Sequence, residues 1–95
     1  MVHALKVEPK HFNDLCRGIK SFEVRRKDRP FAVGDYLALN EYENEHYSGN
    51  FLLFKIMYIL DDPTYCKEGY VIIAIKPCKI DEYAIEEPEL VEGHR

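Results

Sequence analysis

The residues of this chain with the clearest chemical potential lie in one short stretch, residues 18–29. Within it a carboxylate stands between two cations, in the order Lys20, Glu23, Arg25. In a strand, Glu23 and Arg25 share one face because side chains two positions apart point the same way. Two cations beside a carboxylate can hold an anion and still offer an acceptor. This combination suits a nucleotide, whose base and ribose present both donors and acceptors. A surface ladder of ion pairs, which contributes little to stability, is the alternative for the same residues.

A short helix is expected immediately before this stretch. Pro9 is suited to a first helical position. Phe12, Leu15 and Cys16 follow at the spacing that places them on one buried face. Gly18 is expected to end the helix in a left-handed conformation.

The stretch itself predicts a strand over residues 21–27. Phe22 and Val24 are expected to face inward, with the charged side chains on the opposite face. If the strand began at Lys20, that side chain would also face inward. We therefore place Lys20 in the preceding turn, from which it can reach Glu23.

Four further strands are predicted from apolar runs and from alternation, over residues 2–7, 36–42, 51–60 and 71–76. A hairpin turn is expected at residues 48–50, Ser-Gly-Asn.

His3 shares a face with the apolar residues of the first strand and is expected to be a core histidine. Tyr47 and Tyr65 lie in predicted loops and are the tyrosines most suited to stacking on bases, although most such tyrosines are core or rim residues.

This many strands in 95 residues predicts an α+β fold: a small, partly closed, mostly antiparallel β-barrel of five to six strands with a short N-terminal helix. We expect one domain over residues 1–79, followed by an acidic tail over residues 80–95. The length leaves no room for a second domain.

Charge is unevenly distributed along the chain, whose net charge is −4. Residues 1–35 hold eight Lys or Arg against five acids, whereas residues 36–95 hold five against twelve. A localised basic segment can bind phosphate in a protein that is acidic overall. The alternative is a solvated charged surface with an acidic tail.

Hydropathy and the placement of cysteine and histidine residues argue against membrane, secreted and metal-binding classes of protein. No apolar run approaches the roughly 18 residues of a membrane-spanning helix, and the first residues lack the blocks of a signal peptide. The three cysteines are an odd number without a CxxC pair, and the four histidines are scattered, so neither a disulfide scaffold nor a metal site is expected. We expect a cytoplasmic protein without a cofactor or metal.

The spacing Gly18-x-Lys20-x-x-Glu23-x-Arg25 resembles the GxKxxExR signature of ASCH domains, which belong to the PUA-like superfamily. Further segments occur in the same order as in a small bacterial and phage-type family of unknown function within that group. These segments are residues 3–6, Phe12, and residues 22–29, 33–35, 47–49, 58–60 and 69–73.

The resemblance implies a PUA-like barrel with a cleft at the helix–strand junction that binds RNA or a nucleotide-like ligand. Gly18 would let the helix end close to the ligand. Lys20 and Arg25 would meet phosphate or a carbonyl group, and Glu23 would accept from a base amine or hydroxyl. Further phosphate contacts are expected from three more cations of the same stretch: Arg26, Lys27 and Arg29.

Two alternatives remain open. Some relatives hydrolyse N4-acetylcytidine or act on RNA, and in a hydrolase of this kind Lys20 and Glu23 would be the catalytic pair. That amidohydrolase pattern has a Thr three residues after the Lys, where this chain has Glu23. The second alternative is a regulatory protein that contacts a protein partner through its acidic tail.

Overall fold

The structure, a computed structural model, describes residues 1–78. In chain order its elements are β1 (Val2–Val7), α1 (Pro9–Cys16), β2 (Phe22–Arg26), β3 (Tyr36–Glu43), β4 (His46–Leu60) and β5 (Tyr70–Pro77). One helix and five strands were expected in this part of the chain, and both are confirmed. The predicted acidic tail, residues 80–95, lies outside the described residues.

The five strands form a single curled sheet in the order β1-β3-β4-β5-β2. The β1–β3 pair is parallel, and the other three pairs are antiparallel. The sheet is a half-barrel, and its two edge strands are β1 and β2, the first two strands in the sequence. The expectation of a small, mostly antiparallel, partly closed barrel therefore holds at this level.

The core lies on the inner face of this sheet. Strands β1, β3, β4 and β5 each supply buried apolar side chains, mostly from alternate residues. This pattern is expected for a sheet with one covered face. Helix α1 covers the same face with Phe12 and Leu15.

The helix ends as predicted: Gly18 has φ +75°, and the Ile19 N–H donates to the Asp14 carbonyl. Lys20 therefore follows a turn of defined backbone geometry and lies just before β2.

The β3–β4 hairpin differs from the prediction. Its turn is Asn44-Glu45, both residues with positive φ, and not residues 48–50. Residues 48–50 instead form a bulge in β4 opposite Glu41, between the pairs Asn40–Phe51 and Tyr42–Tyr47. Gly49, with φ +93°, supplies the conformation that the bulge needs. A Ser-Gly-Asn sequence suits a bulge as well as a turn, which is why the pattern was misleading.

His3 is buried as predicted, with its Nε2 2.8 Å from Asp35 Oδ2. Burial would raise the pKa of Asp35. The hydrogen bonds from His3, from the terminal ammonium group and from the Ala32 N–H, with the charge of that ammonium group, outweigh burial and lower the pKa. Asp35 is therefore an acceptor, so His3 Nε2 carries the hydrogen. This bond ties β1 to the turn that precedes β3.

Residues 1–78 contain neither a candidate membrane-spanning helix nor a candidate metal-binding group. No helix in this part of the chain is long and apolar enough to cross a membrane. Nor do these residues contain a group of three or more His, Cys, Asp or Glu side chains that could hold a metal ion.

Candidate functional site

The face of β2 that points into the half-barrel is the charged one. Glu23 is 3% exposed, whereas Phe22 and Val24 are 45% and 52% exposed. The prediction that Phe22 and Val24 face inward is therefore wrong. The reason is the register with β5, which pairs Glu23 with the fully buried Ile73. Directly opposed residues share a face, so Glu23 lies on the core side.

Glu23 accepts hydrogen bonds from the two cations that the sequence placed beside it. Lys20 Nζ lies 2.9 Å from Oε2. Arg25 donates to Oε1 through Nε at 3.0 Å and through Nη2 at 2.7 Å. Both carboxylate oxygens are thus paired, as a buried charge requires. We call these three side chains the Lys20–Glu23–Arg25 cluster.

The cluster lies at the seam, by which we mean the gap between the edge strands β1 and β2. Arg25 Nη2 also donates to the Lys6 main-chain carbonyl of β1, at 2.9 Å. One guanidinium therefore joins β2 to β1 where no ladder of main-chain hydrogen bonds does. Arginine can do this because its fork presents five N–H donors in one plane.

Two clefts open along the seam. The helix-side cleft, about 630 Å³, is lined by the cluster, by the exposed apolar side chains of β2 and by residues from β1 and α1. Its charged or titratable lining residues outside the cluster are Lys6, Glu8, Lys10, His11 and Asp14. No Ser, Thr, Tyr or Cys is among the described residues that line it.

The loop-side cleft, about 340 Å³, lies on the other side of the Arg25–Lys6 bridge. It shares Lys6 and Arg25 with the first cleft. Its other lining residues come from β1, from the end of β2 and the loop after it, and from the β3–β4 hairpin: Ala4, Leu5, Arg26, Asp28, Arg29, Phe31, Asn40 and Tyr47. Four cations and one carboxylate thus surround this smaller space.

Comparison with known protein families gives a match over residues 2–75 to a domain of unknown function, DUF3850. The chain belongs to this family. The match covers the half-barrel except for the last two residues of β5, and it includes every residue that lines the two seam clefts. No curated protein matches the chain.

The predicted site residues of this DUF3850 domain fall into three groups. Lys20, Glu23 and Arg25 come together in the cluster, as their spacing predicted. Arg26 and Arg29 line the loop-side cleft. The remaining two line neither cleft.

Those two residues, Gly18 and Lys27, have other surroundings. Gly18 ends the helix, and a Cβ added there would meet nothing within 4 Å. Lys27 Nζ lies 2.9 Å from Asp61 Oδ1 on the opposite side of β2 from the seam clefts. A neighbouring acid thus neutralises one cation of the basic stretch.

Sequence reasoning missed the contributions of β1 and the helix. Lys6 supplies a main-chain acceptor to Arg25, and its side chain lines both clefts. His11 lines the helix-side cleft from α1. Lys6 could have been found from its outward position in β1, between the inward Leu5 and Val7. Its proximity to β2 depends on the curl of the sheet, which no local pattern encodes.

Proposed function

We propose that this DUF3850 domain is a PUA-like, ASCH-type module that binds single-stranded RNA along the seam. The observation that carries the proposal is the pair of clefts that meet at Arg25, one centred on the Lys20–Glu23–Arg25 cluster and the other bordered by Arg26 and Arg29. A chain of nucleotides is a ligand that can occupy both clefts at once. The cluster receives the nucleoside, and the arginines beyond it contact phosphate.

The cluster supports this proposal through its remaining donors. Arg25 uses Nε and Nη2 on Glu23 and Lys6, which leaves Nη1 for a ligand. Lys20 uses one of its three ammonium hydrogens on Glu23. The side chains of Lys20 and Arg25 are 16% and 23% exposed, so both reach the cleft. These groups bind carbonyl or phosphate oxygens.

Glu23 has a different part in this scheme from the one its family resemblance implied. Its side chain is almost fully enclosed, and both oxygens already accept from the two cations. A carboxylate in this position orients Lys20 and Arg25 before the ligand arrives. Preorganised donors bind more tightly because less side-chain entropy is lost on association.

A hydrolase acting on a modified nucleoside is the alternative, and the Lys20–Glu23 contact at 2.9 Å is the observation that favours it. Such a pair can transfer protons. With no hydroxyl or thiol among the described lining residues of the helix-side cleft, the attacking group would be water, activated by a residue such as His11.

The test combines binding and turnover in one set of samples. Labelled single-stranded RNA and a nucleoside mixture containing N4-acetylcytidine are incubated with the wild-type protein, with Lys20→Ala and with Lys76→Ala. Lys76 is an exposed lysine on β5 that lines neither cleft, so it controls for loss of charge. Retention is measured at several salt concentrations.

We expect wild type and Lys76→Ala to retain RNA and Lys20→Ala to lose it. About three phosphate contacts predict a slope near −2 for log K against log salt on a single strand. Salt-independent retention, equal loss in both variants or no retention would contradict RNA binding at the seam. Turnover of N4-acetylcytidine that Lys20→Ala abolishes would make the domain a hydrolase.

A further inference from the structure

The two clefts differ in charge, and this difference distinguishes what each can hold. The helix-side cleft has four cationic side chains and three carboxylates in its lining, whereas the loop-side cleft has four cations and only Asp28. Asp28 is exposed, and its Oδ1 atom lies 3.7 Å from Arg29 Nε. Among residues 1–78, no carboxylate forms an ion pair with Arg26. Phosphate groups are therefore attracted more strongly to the loop-side cleft.

The loop-side cleft also has an exposed aromatic ring on its wall. Tyr47 is 59% exposed and lines this cleft from the β3–β4 hairpin. Its ring lies 4.8 Å from that of Tyr42 in an edge-on arrangement. Lys6 Nζ in turn lies 4.4 Å from the centre of the Tyr42 ring.

These contacts connect the hairpin to the seam. Lys6 belongs to β1 and lines both clefts, so the row Lys6–Tyr42–Tyr47 places an aromatic ring at a defined distance from the seam. The tight Asn44-Glu45 turn and the bulge at Gly49 shape the hairpin that carries Tyr47. An exposed tyrosine with its ring partly held by neighbours loses little entropy when a base stacks on it.

We infer that the loop-side cleft is a second nucleotide subsite, in which Tyr47 stacks on a base and Arg26 and Arg29 bind its phosphate. The inference rests on the proposed function and deepens it. The phosphate that Arg26 and Arg29 bind is the one that links the two nucleotides, and it lies where the clefts meet, beside Arg25 and Lys6, the two residues common to both. The smallest ligand that fills the site is accordingly a dinucleotide and not a mononucleotide.

The test measures the affinity of three RNA probes: a nucleoside 5′-monophosphate, a dinucleotide and a tetranucleotide. Each is titrated into wild type, Tyr47→Ala, Tyr47→Phe, Tyr65→Ala and Lys20→Ala. Tyr65 is a matched control because it is an exposed tyrosine that lines neither cleft. Tyr47→Phe keeps the stacking ring and removes only the hydroxyl. The Tm of each variant is recorded to separate binding from folding.

For wild type we expect the dinucleotide to bind at least tenfold more tightly than the monophosphate. Tyr47→Ala should weaken the dinucleotide by roughly 5- to 150-fold, the range that one base–aromatic stack provides. Tyr47→Phe and Tyr65→Ala should behave as wild type.

Two results would overturn the inference and leave the proposed function intact. One is equal affinity for all three probes with binding still lost in Lys20→Ala. The other is a dinucleotide affinity that Tyr47→Ala does not change. If no probe binds the wild-type protein, both the inference and the proposed function are wrong.

Discussion

Replacing the buried carboxylate of the seam by its amide, Glu23→Gln, should destabilise the folded domain substantially. The amide has nearly the same shape as the carboxylate, so packing against Ile73 is preserved and the change is electrostatic. The remaining oxygen can still accept from Arg25. The new NH₂ group, however, faces Lys20 Nζ, so two donors meet where a donor and an acceptor were 2.9 Å apart.

The size of the loss follows from these contacts. Losing the bond from Lys20 to a charged acceptor costs about 1.5–3 kcal/mol. The bonds from Arg25 weaken because their acceptor is no longer ionised, which adds about 1 kcal/mol. The sum, about 3 kcal/mol, is at the lower end of the effect of removing one partner from a buried pair. Lys20 and Arg25 retain some solvent exposure, which keeps the loss at this lower end.

The assay is equilibrium unfolding in urea, followed by circular dichroism, together with thermal unfolding. A loss of about 3 kcal/mol corresponds to a Tm about 12–24 °C lower for a domain of this size. Asp61→Asn is the matched control because it also converts a carboxylate paired with a lysine into an amide. The Lys27–Asp61 pair is half-exposed, so its loss should change stability by less than about 1 kcal/mol.

The comparison between the two variants decides the outcome. If Glu23→Gln costs no more than Asp61→Asn, the carboxylate is not enclosed between its two cations. The inward orientation of Glu23 and the preorganised cluster would then both be incorrect. The cluster would be the surface ladder of ion pairs that the sequence alone left open.

Two further predictions concern the fold around the site. Glu45→Gly should stabilise the domain by about 1 kcal/mol in the same urea assay, because Glu45 has φ +63° and glycine adopts left-handed φ without strain; a lower unfolding midpoint would contradict this turn geometry. Asp35→Asn should lose the contribution of the His3 bond at neutral pH. The lowered pKa of folded Asp35 means that this contribution is complete above the ordinary Asp pKa of about 3.9 and disappears as the pH falls through the folded value. The stability difference between wild type and Asp35→Asn should therefore shrink below about pH 4, and a constant difference down to pH 3 would refute the assignment.

The parts of the site that could be predicted are those with local causes. Lys20, Glu23 and Arg25 lie within six residues of one another, so a turn followed by a strand brings them together in any tertiary setting. The helix limits were similarly predictable, because Pro9 and Gly18 act through their own backbone restrictions. The five strands followed from runs of apolar residues, and their predicted bounds differ from the observed ones mainly at β4.

The error in the orientation of β2 has its physical origin in pairing between distant residues. Alternation in β2 showed that Glu23 and Val24 face opposite ways, but not which of them faces the core. That choice depends on the register with β5, some fifty residues later in the chain. A hydrophobicity rule selects Val24, and the rule fails because two cations make it possible to bury a carboxylate at an edge strand.

The sequence by itself determined the number and order of the helix and strands, the grouping of Lys20 with Glu23 and Arg25, and the burial of His3, since each depends on residue type and near neighbours. Only the tertiary structure decided that β1 and β2 face each other across a seam, because the curl of the sheet sets that distance. It also decided how the basic stretch is divided: Lys27 pairs with Asp61, whereas Arg26 and Arg29 border the loop-side cleft. Charges next to one another in the chain acquire different partners because those partners, such as Asp61, come from distant parts of the chain that only the folded sheet brings close.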